Sequence, residues 1–104
     1  MEEKKMKAVE NPPSERLLVV EDDQYLREEI LRILSRRTNY SVIAASDGEE
    51  ALKIARDQRF DLLITDVRMP GIDGIELLER LKADRPSLVS IIITAFADEQ
   101  ATIK

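Results

Sequence analysis

Four short apolar runs, at residues 17–20, 40–45, 62–66 and 88–93, alternate with longer stretches in which apolar residues recur at helical spacing. Short apolar runs bounded by turn signals predict buried parallel strands. Between them, residues 24–36 carry Leu26, Ile30, Ile33 and Leu34 on one helical stripe, with Glu28 and Arg32 expected to pair on the wet face. Ser46-Asp47-Gly48-Glu49-Glu50 predicts a helix start, since either Ser46 with Glu49 or Asp47 with Glu50 can form a capping box. That helix runs to about residue 56, with Ala51, Leu52 and Ala55 inward. Asp73 and Glu76 open a third helix through residue 83, burying Leu77, Leu78 and Leu81 and pairing Glu76 with Arg80, before Pro86 closes it. Asp98 is expected to cap the first turn of a fourth helix, which would hold Lys104.

The order is β-α-β-α-β-α-β followed by an opening helix. Such alternation predicts an α/β fold, a doubly wound parallel sheet with helices on both faces. Composition narrows the function rather than the fold. A chain of 104 residues with 43% apolar content allows one small domain. Residues 1–15 form a charged leader with two prolines, expected to be disordered, and 16–104 form the domain. The net charge of −5 argues against direct nucleic-acid binding, and no apolar run is long enough to span a membrane, so a cytoplasmic address is expected. The chain has neither histidine nor cysteine, which excludes Ser-His-Asp and Cys-His catalysis and any imidazole or thiolate metal site. Its chemistry must run on carboxylates, hydroxyls, lysines and arginines.

Three of the four strands end on oxygen-bearing side chains: Glu21-Asp22, Asp66 and Thr94. In a parallel sheet these ends share one edge, where α/β proteins hold ligands. Clustered carboxylates repel, and a hard divalent cation such as Mg²⁺ relieves that repulsion. A carboxylate left over could then attack a phosphorus atom, with Thr94 donating a hydrogen bond to the incoming group. Each residue alone has a plainer role: Glu21, Asp22 and Asp23 as helix caps, Asp66 as the start of the Pro70-Gly71 turn, Thr94 as a strand terminus, Arg68 as a solvated loop residue. The spacing of all four strand-end residues together is harder to obtain that way.

Leu17-Leu18-Val19-Val20-Glu21-Asp22-Asp23, Asp66-Val67-Arg68-Met69-Pro70-Gly71-Ile72-Asp73-Gly74 and Ile92-Ile93-Thr94-Ala95 closely resemble the receiver domain of two-component response regulators. The resemblance implies a flavodoxin-like sheet of order 2-1-3-4-5. It implies Asp66 as phosphoacceptor for a sensor histidine kinase, and Mg²⁺ held by Asp22, Glu21, Asp66 and the main-chain carbonyl of Arg68. It implies Thr94 as the hydroxyl that moves toward the phosphoryl group, and leaves Asp23 as a helix cap. Members of the family continue through a fifth strand, a Lys-Pro step and a fifth helix, so a C-terminally truncated receiver is expected, without the phosphate-contacting lysine and with one sheet face underfilled. Onward signalling would then need an output domain or a homodimer. Two other readings compete. An aspartate-nucleophile phosphatase would need a second aspartate where Arg68 stands, and a non-phosphorylated interaction module would need no acceptor chemistry.

Overall fold

The computed structural model describes residues 15–94 and the backbone of Thr102 and Ile103. The leader expected at residues 1–15 therefore lies outside the described residues except for Glu15, as do Ala95, Asp98 and Lys104. Strands β1 (Arg16–Val20), β2 (Ser41–Ala45), β3 (Leu62–Asp66) and β4 (Val89–Ile93) alternate with helices α1 (Gln24–Arg37), α2 (Gly48–Asp57) and α3 (Gly74–Asp84). The four strands run parallel in the order β2-β1-β3-β4, the flavodoxin-like arrangement.

Where a fourth helix was expected to reach, Thr102 and Ile103 instead form a short strand, β5, paired antiparallel with Ile92 and Ile91. The outer edge of β4 presents backbone donors and acceptors that need partners, and two β-branched residues suit an extended pairing. Among the described residues the fifth place in the sheet is thus held by this two-residue edge strand rather than by a parallel one.

Side-chain alternation along β1 divides the core. Leu18 and Val20 join Leu63, Ile92, Ala51, Leu77, Leu78 and Leu81 in a cluster under α2 and α3. Leu17 and Val19 join Ile64 on the opposite face, with Ile30, Leu31 and Leu34 of α1 packed against them. The α1 stripe read from the sequence is only half used. Ile30 and Leu34 meet the sheet, whereas Leu26 and Ile33 are 37% and 56% exposed. The reason lies in coverage, because one helix cannot span the width of four strands.

The caps follow local chemistry. Asp47 is the N-cap of α2 and accepts from the Glu50 N–H at 2.8 Å, which selects the second of the two capping boxes. Glu50 reaches one residue further back, accepting from both the N–H and the hydroxyl of Ser46 at 2.8 Å. These bonds hold the Glu50 carboxyl below its usual range. Asp73 caps α3 by accepting from the Glu76 N–H, and Glu76 pairs with Arg80 at 2.7 Å as expected. On α1 the expected Glu28–Arg32 pair is replaced: Arg32 binds Glu29, while Glu28 accepts from Gln24 at 3.0 Å. Both spacings bring helical side chains within reach, and the rotamers decide between them.

Candidate functional site

Strand register sets the site. Val20 lies beside Thr65 in the β1–β3 ladder, so the next residues, Glu21 just past β1 and Asp66 at the end of β3, are neighbours. The β1 chain then turns into α1 through Asp22 and Asp23. Carboxylate oxygens of Glu21, Asp22 and Asp66 all lie within 4.8 Å of one another. Glu21 is buried, Asp66 half-buried and Asp22 exposed, so the cluster opens outward from a buried floor.

Asp23 is turned to other work. As N-cap of α1 it accepts from the Leu26 N–H at 3.0 Å, and its own N–H donates to Glu21 Oε2 at 3.1 Å. The second oxygen, Glu21 Oε1, is buried and has no hydrogen-bond partner. An orphaned carboxylate oxygen is costly in a protein interior. Burial pushes the Glu21 carboxyl up from 4.5 to about 7; the Asp23 N–H opposes the rise and the neighbouring Asp66 charge adds to it. A hard cation would answer both problems, since the free oxygen could serve as its ligand and its charge would offset the crowded carboxylates. The donor set, all oxygen and part buried, fits Mg²⁺.

The loop after β3 is pinned beneath the cluster. The Arg68 N–H donates to Asp66 Oδ1 at 3.3 Å, the Val67 N–H donates to Ile93 O at 3.0 Å, and the Gly74 N–H returns to Val67 O at 2.8 Å. Gly71 has φ of 78°, the left-handed conformation that the turn needs and glycine supplies. Gly74 is required for a different reason, since a Cβ there would sit 2.1 Å from the Asp66 carbonyl oxygen. Met69 and Ile72, within this loop, are buried in the core cluster under α2 and α3. Thr94 follows Ile93, whose ladder partner is Asp66, so it stands half-buried at the mouth of the adjoining strand.

Two features of the site escaped sequence reasoning. The Arg27 guanidinium donates to the main-chain oxygen of Glu21 at 2.8 Å, a contact between a helix residue and a strand end that no periodicity reveals. Gly74 read as part of a motif, while its close approach to Asp66 depends on how the loop closes.

A model of the response regulator receiver domain family matches residues 17–104. The chain belongs to that family. It is 41% identical over 91 residues to the transcriptional activator protein PfeR of Pseudomonas aeruginosa, covering 88% of this chain and 29% of that one. Among solved structures, the response regulator TrrA of Thermotoga maritima in complex with Mg²⁺–BeF superposes with a TM-score of 0.75 at 34% identity, covering 81% of this chain and 72% of that one. The non-phosphorylated HemR receiver domain of Leptospira biflexa gives a TM-score of 0.73 at 33% identity, covering 81% and 67%. The chain spans 20% to 35% of the length of curated relatives it matches.

As a receiver domain the chain carries the fold and the clustered acidic triad typical of the phosphoacceptor and Mg²⁺ site of response regulators. The class takes a phosphoryl group onto itself rather than turning over a separate substrate. Among the described residues no helix is long and apolar enough to cross a membrane.

Proposed function

We propose that Asp66 is the phosphoacceptor, and that Glu21, Asp22, Asp66 and the Arg68 carbonyl hold the Mg²⁺ that supports the transfer. The observation carrying this reading is the convergence of three carboxylates around an unpartnered, buried Glu21 oxygen. Asp66 Oδ attacks the phosphorus of a kinase phosphohistidine; the new P–O bond forms as the P–N bond breaks, and the electron pair leaves with the imidazole nitrogen, which takes up a proton. Bound Mg²⁺ supplies positive charge beside the phosphoryl oxygens, lowering the repulsion that a carboxylate nucleophile meets. Thr94, one residue beyond the strand partner of Asp66, donates its hydroxyl hydrogen bond to the arriving group. The proposed setting is the cytoplasm. Onward signalling passes to a C-terminal output domain, a step the greater length of the relatives supports, or through a homodimer.

Incubation with acetyl phosphate and Mg²⁺ should add one acid-labile phosphoryl group, seen by intact mass spectrometry. Asp66→Asn and removal of Mg²⁺ by EDTA should each abolish it. An adduct that survives Asp66→Asn, or none in the wild type, would sink the reading. Exposed Ile33, Val89 and Ile91 favour one second reading, a non-phosphorylated interaction module. Beryllofluoride titration by NMR separates the two: shifts at Asp66 and Thr94 support the acceptor, and their absence supports the module.

A further inference from the structure

The turn that carries Glu21 and Asp22 is tied to its surroundings at both ends. Within the β1–β2 ladder the Glu21 N–H donates to Ala45 O at 3.1 Å. In a parallel ladder the carbonyl of the same residue should next accept from the amide two residues beyond Ala45. That amide belongs to Asp47, where the chain has already left the strand to cap α2. The Glu21 carbonyl, in a residue only 2% exposed, would lose its ladder partner at this point. The Arg27 guanidinium fills the place, donating at 2.8 Å from the first full turn of α1. The backbone of the same residue holds the far end of the turn, its N–H donating to Asp23 O at 2.9 Å. Exposed Asp22 hangs between these two tethers.

We propose that Arg27 is a positioning residue for the acidic site, replacing a missing ladder amide and fixing the 21–23 turn so that Glu21 and Asp22 meet Asp66. The proposal rests on the reading that the cluster holds a divalent cation. Arg27 does not join the cation's ligands; it acts through the main chain of one of them, and supporting contacts of this kind tune metal affinity. A guanidinium suits the task because it stays charged and can hold a carbonyl while remaining half-buried. Its charge also reaches Glu50 in the first turn of α2, as the last of the influences that lower that carboxyl.

The experiment is an NMR titration of the full chain with MgCl₂, comparing wild type, Arg27→Met and Arg27→Lys, with amide hydrogen exchange at Asp23 measured before metal is added. Arg27→Met should raise the Mg²⁺ Kd about tenfold, toward the low end of the range for lost supporting contacts, and should speed exchange at Asp23. Arg27→Lys keeps a shorter donor and should fall between. Wild-type Mg²⁺ affinity with wild-type Asp23 exchange in Arg27→Met would overturn the proposal, as would a lowered metal-free Tm with unchanged Kd, the pattern of a merely structural contact. Should Arg27→Met fail to fold, Arg27→Lys decides: a raised Kd supports the proposal and a wild-type Kd overturns it. Should the wild type bind no Mg²⁺, the cation reading falls, and Asp23 exchange alone decides whether Arg27 holds the turn.

Discussion

On one side of the sheet, α2 and α3 press Ala51, Leu77 and Leu81 against Leu18, Leu63 and Ile92, each less than a tenth exposed. On the other, α1 brings none of its residues to that level of burial, and Ile33, Val89 and Ile91 are 56%, 54% and 38% exposed. The strands do not cause this contrast. Alternation sends apolar side chains to both faces, Leu18 and Val20 one way, Leu17 and Val19 the other. The difference is the number of helices laid over each face among the described residues. It also divides the site. The Asp66 loop is anchored on the denser face through Met69 and Ile72, whereas the 21–23 turn leads directly into α1.

The contrast makes graded predictions for equilibrium urea unfolding. Leu77→Ala, in the filled face, should cost about 3 kcal/mol, because its close-packed surroundings cannot collapse into the cavity. Leu17→Ala is equally buried but has half-exposed α1 above it, so its cost should fall nearer 2 kcal/mol, the low end for such truncations. Equal losses at the two positions would break the comparison. Ile33→Ser removes a side chain already more than half exposed and should change stability by less than about 0.5 kcal/mol. A larger loss would mean that something covers α1 in solution.

The smallest effect concerns the α2 cap. Glu50 is held below its usual 4.5 by the Ser46 N–H and hydroxyl. A lowered folded pKa contributes stability present above the unfolded value and lost as pH falls through the folded one. The Tm gap between wild type and Glu50→Gln should therefore narrow as pH drops from about 6 to about 3. Because Glu50 is exposed, the gap should be slight even at its widest. A gap that widens with acid would remove this cap from the account of the filled face.

Much of the site could be read from residue order. Each strand that carries a site residue passes from an apolar run to a polar end, Val20 to Glu21, Ile64 through Thr65 to Asp66 and Ile93 to Thr94, and a parallel sheet places such ends on one edge. Caps at Asp23 and Asp73 were equally legible, since a short acidic side chain ahead of an apolar stripe has few other tasks. Ion pairing on α1 was not, because Glu28 and Glu29 both lie within reach of Arg32 and only side-chain packing separates them. At Thr102 and Ile103 the structure departs from the expected helix for a related reason. Thr102 and Ile103 were assigned to a helix from Asp98, but the open edge of β4 offered them backbone partners that no local pattern records.

What the sequence by itself determined is the periodic content from β1 to β4: which residues there form strands, which form helices, and that carboxylates and a hydroxyl close the strands. Those features are local, written in spacings of two and of three to four residues. Only the tertiary structure decided that Arg27 would stand in for an absent ladder amide, that Gly74 would lie against the Asp66 carbonyl, and that α1 would leave Leu26 and Ile33 exposed. Each of these is a meeting of segments set by sheet register and helix placement. A pattern along the chain can say that a donor exists, but not which distant carbonyl will lack one.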